Sequence, residues 1–299
     1  MGAPPARPPS WVPPLPPRPR EAHKASMGKL LIIGGSQGLS GAVVLASEAA
    51  LRSGVGLVTC AVPQLIGSIL EVKTTEAMTA PLPDSGKGIL QPAAIAHLQP
   101  HLAAAGALVI GPGMGREAAT CGFFRTLLPT LRLPSVLDAD GLWHLAREPA
   151  LLRRGDPKRV LTPHSGEMEG LRASLGMEPG ERREVAQRFV DKVAGVLVLK
   201  GPGTLICEGE RAVENPTGNP GMASGGMGDV LAGIIGAFLA RGDSPWDAAR
   251  RAAWLHGRAG DLAAARVGEE SLIASDLIAA LPDAIRELTG ASETDEGEE

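Results

Sequence analysis

Tyrosine is missing from all 299 residues, and aromatic side chains make up only 3% of them. Few rings are left on which the bases of a single-stranded nucleic acid could stack. Excess charge is missing too. Lysine and arginine number 29 against 33 acids, a net −4, so no basic surface argues for nucleic acid. No apolar run reaches the roughly 18 residues of a membrane-spanning helix, and the N-terminus lacks the apolar core of a secretory signal. The "MGAPPA" start has no Ser or Thr at position 6, which excludes the myristoylation pattern. Cysteine is scarce: Cys60, Cys121 and Cys207 are odd in number and lack CxxC spacing. Neither a disulfide framework nor a zinc site is indicated, and free thiols in a cytoplasmic setting are expected.

Proline is concentrated at one end. Residues 1–26 are dense in it and have no apolar periodicity, so this tail is expected to remain disordered and extended. "MGKLLIIGGS" opens the folded part at once, so Met27 could equally be the start of translation. A peptide covering Trp11 in mass spectra of the native protein would exclude that. Residues 291–299 form an acidic tail.

Between them, residues 27–290 read as one α/β domain. Short, continuously apolar stretches at 29–35, 55–62, 107–113, 135–140, 159–164 and 195–201 predict buried strands. Helical composition falls at 41–53, 118–131, 183–194 and 229–241. Strand and helix in alternation imply a mostly parallel sheet with helices on both faces. Ligands of such sheets bind beyond the carboxyl ends of the strands. Gly34-Gly35-Ser36, Gly111-Pro112-Gly113, Asp138, His164 and Lys200 all fall at predicted strand ends, which points to one cleft.

Each motif has a structural and a chemical reading. "GGSQGLSGA" and "GPGMG" suit tight turns, or a backbone against which a ligand lies. Asp138 and Asp140 could support Mg²⁺ through water or cap the following helix; capping is the expectation for Asp140. His164 sits in a loop fixed by Pro163 and Gly166, with Glu167 three residues on. His97 and His101 lack the HExxH glutamate and read as a helix face. Lys200, at a strand end, could hold a phosphate or face solvent. The strongest signal is "NPTGNPGMASGGMGDVLAGIIGAFLARG". Gly225, Gly226 and Gly228 at a helix start can form an anion-binding nest, Gly233 and Gly236 allow close approach to the sheet, and Asp229 can act as a base on a hydroxyl beside a phosphoryl donor.

In order along the chain, "GGSQGLSGAVVLASEAALRSGVGLVT", "TEAMTAPLP", "VIGPGMG", "VLDADGLWHL", "LTPHSGEMEGL", "LVLKGPGTLI" and the glycine-rich stretch resemble the ADP/ATP-dependent (S)-NAD(P)H-hydrate dehydratase family. The resemblance implies a ribokinase-like three-layer sandwich. It also implies repair of hydrated NADH and NADPH: ADP or ATP phosphorylates the C6 hydroxyl and phosphate is then eliminated. Asp229 would be the base, and Gly225, Gly226 and Gly228 the anion hole. Lys200, Gly201, Pro202, Gly203, Thr204 and Gly228 would bind the adenine nucleotide. Ala42, Gly113, His164 and Asp229 would contact the hydrated dinucleotide. Mg²⁺ would bridge phosphate oxygens, with Glu167 or Asp138 as water-mediated supports. A homotetramer and functional pairing with a separate NAD(P)HX epimerase are also implied, a fused epimerase domain not being expected within these 299 residues. One departure stands out, since Met227 replaces the threonine of the family's usual G-T-G-D. A kinase of the same fold, acting on a vitamin precursor or sugar hydroxyl, is the competing reading.

Overall fold

Alternate residues of each buried strand enter different cores, because side chains point to opposite faces of a sheet with a period of two. In the computed structural model, which describes residues 7–156 and 158–290, nine strands form one sheet. They are β1 (Lys29–Ile33), β2 (Leu57–Pro63), β3 (Met78–Leu82), β4 (Ala107–Ile110), β5 (Ser135–Leu137), β6 (Arg159–Leu161), β7 (Val196–Leu199), β8 (Leu205–Glu208) and β9 (Arg211–Glu214). Their spatial order is β3-β2-β1-β4-β5-β6-β7-β8-β9. The first seven run parallel, while β8 and β9 are antiparallel additions at one edge.

Leu30 and Ile32 of β1 join Val109, Val136, Val160 and Val196 in one core. It is covered by α1 (Ser40–Arg52), α2 (Gln64–Lys73), α9 (Met227–Ala240), α10 (Pro245–Val267) and α11 (Ala274–Thr289). Leu31 and Ile33 join Leu108, Leu137, Leu161 and Leu197 in the other. That face is covered by α3 (Ile95–Ala104), α4 (Ala118–Leu127), α5 (Asp140–Leu145), α6 (Pro149–Arg154), α7 (Ser165–Ser174) and α8 (Arg182–Val190). The result is the expected α/β three-layer sandwich.

Strand order reverses at β1, which opens a crevice between the carboxyl ends of β1 and β4. The two glycine turns meet there. Gly35 N–H donates to the Pro112 carbonyl at 2.8 Å, and a Cβ on Gly34 would lie 2.3 Å from that oxygen. Only glycine permits this approach.

Four expectations are corrected. The proline-rich stretch is not extended away: it rests on the fold around residues 8–15, while residues 16–26 are mostly exposed. Val12 is buried, Trp11 rests on the same core, and Met27 is buried behind them. Carbonyls of such a segment serve no helix or sheet, so arginines elsewhere supply the donors. Arg250 bonds the Trp11 carbonyl and Arg251 the Pro14 carbonyl at 2.9 Å, while Arg18, within the stretch, donates out of it to the Gly54 carbonyl at 2.7 Å. Residues 1–6 and the acidic tail 291–299 lie outside the described residues. Second, α9 begins at Met227, which sets Asp229 inside its first turn. Third, Gly233 faces α1 and not the sheet: its added Cβ would lie 2.1 Å from the Ala46 carbonyl, whereas that of Gly236 would meet Val109 on β4. Fourth, β3 and the β8–β9 hairpin extend the sheet beyond the predicted strands. The three cysteines are free.

Candidate active site

Asp138 follows β5 and is 1% exposed. Its Oδ1 accepts from Thr162 Oγ1 at 2.7 Å and from Lys200 Nζ at 2.6 Å. The Lys200 backbone N–H is fixed by the Pro163 carbonyl at 2.8 Å, so the ends of β5, β6 and β7 are joined through one buried ion pair. Glu167, in the first turn of α7, stands 3.7 Å from the same ammonium.

His164 caps α7. Its Nδ1 accepts from Gly166 N–H at 3.0 Å and Glu167 N–H at 3.3 Å, while Glu167 accepts from the His164 N–H at 2.8 Å. This reciprocal box satisfies helix-start donors. It leaves Nε2 of a side chain that is 59% exposed turned outward, 3.5 Å from Glu167.

Two carboxylates therefore flank one ammonium, and Asp229 adds a further negative charge to the same cluster. Burial would lower the Lys200 pKa, but Asp138 and then Glu167 outweigh it and raise the group above its ordinary value. Burial raises Glu167 as well. Asp229 is pushed up to about 7, first by burial and then by Asp138, against the opposing pull of Lys200. Asp229 is thus an acid of the cluster that changes charge near neutrality.

The first turn of α9 stands over this cluster. Gly226, at φ +90°, makes the entry turn, and a Cβ there would strike Leu45; a Cβ on Gly225 would meet nothing within 4 Å. The open side of Gly225 leaves the helix-start N–H groups approachable by an anion. Gly228 brings the helix close to the ion pair, since an added Cβ would lie 3.1 Å from Lys200 Nζ. Met227 sends its side chain into the core at 5% exposure. Behind this turn, α10 holds the glycine-rich loop: Asn215 donates to the Ala253 carbonyl at 2.9 Å, Thr217 to the Trp254 carbonyl at 3.1 Å, and Asp261 accepts from Gly218 N–H at 3.1 Å.

Gly113 and Ala42 adjoin on the β1–β4 side of the cleft. A Cβ on Gly113, at φ +57°, would lie 3.2 Å from that of Ala42. Asp140 does not cap α5, contrary to expectation. It occupies the first helical position, and its carboxylate turns outward to take Gly115 N–H at 3.0 Å and Arg116 Nε at 2.7 Å. It thereby tethers the "GPGMG" loop. The Gly201–Thr204 turn closes through Thr204 Oγ1 on the Gly201 carbonyl at 3.1 Å, and Arg182 donates to the Leu199 carbonyl at 2.7 Å and to that of Gly203 at 2.9 Å. Thr162, Arg182 and His256 escaped sequence reasoning, because no local spacing marks a contact made across the fold. His97 and His101 lie on α3, one exposed and one half-buried.

Among the described residues, no group of three or more His, Cys, Asp or Glu side chains is arranged to hold a metal ion. One Asp138 oxygen is already committed to Lys200. No helix of the described residues is long and apolar enough to cross a membrane.

A family model described as NAD(P)H-hydrate dehydratase matches residues 30–283. The bifunctional NAD(P)H-hydrate repair enzyme of Moorella thermoacetica is 44% identical over 282 residues, 94% of this chain and 53% of that protein. Its counterpart from Coxiella burnetii is 43% identical, covering 88% of this chain and 51% of its own. The chain thus spans about half the length of the curated relatives it matches. Among solved structures, the ADP/ATP-dependent NAD(P)H-hydrate dehydratase of Bacillus subtilis, co-crystallised with ATP and Mg²⁺, matches with a TM-score of 0.74 at 28% identity, over 92% of this chain and 95% of that one. A ribokinase-like superfamily protein from Enterococcus faecalis matches with a TM-score of 0.78 at 27% identity, over 91% of each chain.

Proposed function

The chain belongs to the NAD(P)H-hydrate dehydratase family, and on that premise we propose that it uses ADP to dehydrate (S)-NADHX and (S)-NADPHX to NADH and NADPH, releasing AMP and phosphate. The observation that carries this reading is one cleft in which the half-buried Asp229 carboxylate adjoins the open N–H groups of α9 and the Lys200–Asp138 pair.

Asp229 takes the proton of the C6 hydroxyl as that oxygen attacks the terminal phosphorus of the nucleotide. The N–H groups of Gly225, Gly226 and Gly228 receive the charge on the phosphoryl oxygens. Phosphate then leaves from C6 as the ring nitrogen lone pair forms an iminium, and loss of a proton from C5 restores the C5=C6 double bond, which explains why a poor leaving group is first converted into a good one. Lys200 through Thr204 hold the nucleotide's phosphates and ribose. Ala42, Gly113 and the outward edge of His164 hold the dinucleotide.

Mg²⁺, when bound with the nucleotide, would neutralise phosphate charge. The donor set fits such an ion, which keeps most of its waters and takes phosphate oxygens in preference to a full protein cage; the second Asp138 oxygen and Glu167 would hold it through water. Assembly as a homotetramer, a cytoplasmic setting and pairing with a separate NAD(P)HX epimerase belong to the same reading.

The test supplies hydrated NADH or NADPH, Mg²⁺ and either ADP or ATP, and follows the absorbance of reduced nicotinamide. Recovery stoichiometric with AMP formation is expected with ADP. No recovery with either donor overturns the reading, and a stable phosphorylated product would make the chain a kinase. Light scattering in solution tests the tetramer.

A further inference from the structure

Most contacts from α10 to the glycine-rich loop are made by its carbonyls and by Asp261. His256 differs. Its Nε2 lies 2.9 Å from the carbonyl oxygen of Met227, the first residue of α9. A carbonyl can only accept, so Nε2 carries the hydrogen and the imidazole is the donor. Burial pushes this histidine down to about 4, and the ring is therefore neutral at the pH of any ordinary assay.

The partner carbonyl is not an arbitrary one. The Met227 C=O and the Gly228 N–H belong to a single planar peptide unit and point in opposite directions. In a helix the carbonyl is directed down the axis and the N–H back toward the start. The Gly228 N–H therefore faces the cleft while His256 grips the other end of the same plane. A donor on the carbonyl limits rotation of that plane and draws electron density from the N–H, which strengthens it as a donor.

We propose that His256 is a positioning residue, which acts through the Met227 carbonyl to hold and polarise the Gly228 N–H for a phosphoryl oxygen. The role rests on the reading that the first turn of α9 receives the transferring phosphoryl group. It also accounts for Met227 in the loop: the residue's backbone does the work there while its side chain is buried in the core.

The test compares H256A, H256Q and H256N in the full chain. A glutamine amide reaches the place of the imidazole Nε2, and an asparagine amide stops short of it. For H256A and H256N, kcat should fall about tenfold, the equivalent of one net hydrogen bond, with KM for the dinucleotide within about twofold of the parent. H256Q should recover most of the loss. Calorimetric titration with a non-hydrolysable ADP analogue and Mg²⁺ should show the same order. Folded H256A with parental kcat and analogue affinity overturns the role, as does equal impairment of the Gln and Asn variants, which would mean simple packing. If H256A does not fold, the Gln–Asn comparison decides. The titration does not depend on dehydration: weaker analogue binding by H256N alone would support the role even where the parent failed to restore NADH.

Discussion

Asp229 links the sequence to a measurable pH dependence. Burial and then Asp138 raise it to about 7, and a general base works only when deprotonated. The acid limb of kcat/KM should therefore rise through about pH 7 and level off above it. Asp229→Asn should lower kcat by about 10²–10⁴, the usual worth of a positioned base, with nucleotide binding retained in a calorimetric titration; a near-parental rate would remove Asp229 from the mechanism. The same shift carries a sign for stability. With a folded value above its unfolded 3.8, the group's favourable contribution is complete below about pH 4 and is lost progressively as pH rises to about 7. Relative to the parent, Asp229→Asn should thus melt at a temperature that gains steadily from pH 4 to 7 and no further beyond. Asp229 and Lys200 were legible in the sequence because Asp229 opens an apolar run, Lys200 closes one, and each adjoins glycine. Thr162 and His256 were not. Their partners, Asp138 and Met227, are distant in the chain, and nothing in the local pattern of either residue records the meeting.

At the scale of elements, α9 carries the site and is itself set by two glycines with different neighbours. A methyl on Gly233 would collide with the Ala46 backbone carbonyl, which cannot move unless α1 moves; on Gly236 it would meet the ends of the Val109 and Leu30 side chains. Gly233→Ala should cost about 1–3 kcal/mol, an overpacking penalty larger than the roughly 1 kcal/mol of helix propensity gained. Gly236→Ala should cost less. Urea unfolding of both variants checks the order. Buried parallel strands were readable because their apolar runs are continuous. The β8–β9 hairpin was not, for β9 (RAVE) is a half-exposed edge strand without such a run. In β3, Pro81 obscured another edge strand. The tether from Asp140 to Gly115 was misread as a cap for a related reason: an acid at a helix start looks the same whichever way its carboxylate turns.

For the whole molecule, the cleft and the N-terminal stretch lie at opposite ends of the strands. Arg18 bonds Gly54 just ahead of β2, and Arg250 and Arg251 hold Trp11 and Pro14 against the start of α10. Removing residues 1–26 would expose Arg251 and the apolar surface under Val12. Differential scanning calorimetry of that truncation should show a lowered Tm, while KM for nucleotide and dinucleotide stays within about twofold of the parent. A changed KM would show that the stretch reaches the cleft. The two cores give the molecule a further asymmetry. Valines dominate the strand face under α9 and leucines the opposite face. Leucine has freedom at both side-chain torsions and can absorb a disturbance by changing rotamer, whereas valine is stiff at its one torsion. A substitution on the leucine face should therefore be met by rotamer changes around it, whereas one on the valine face should be met by a shift of α9 itself.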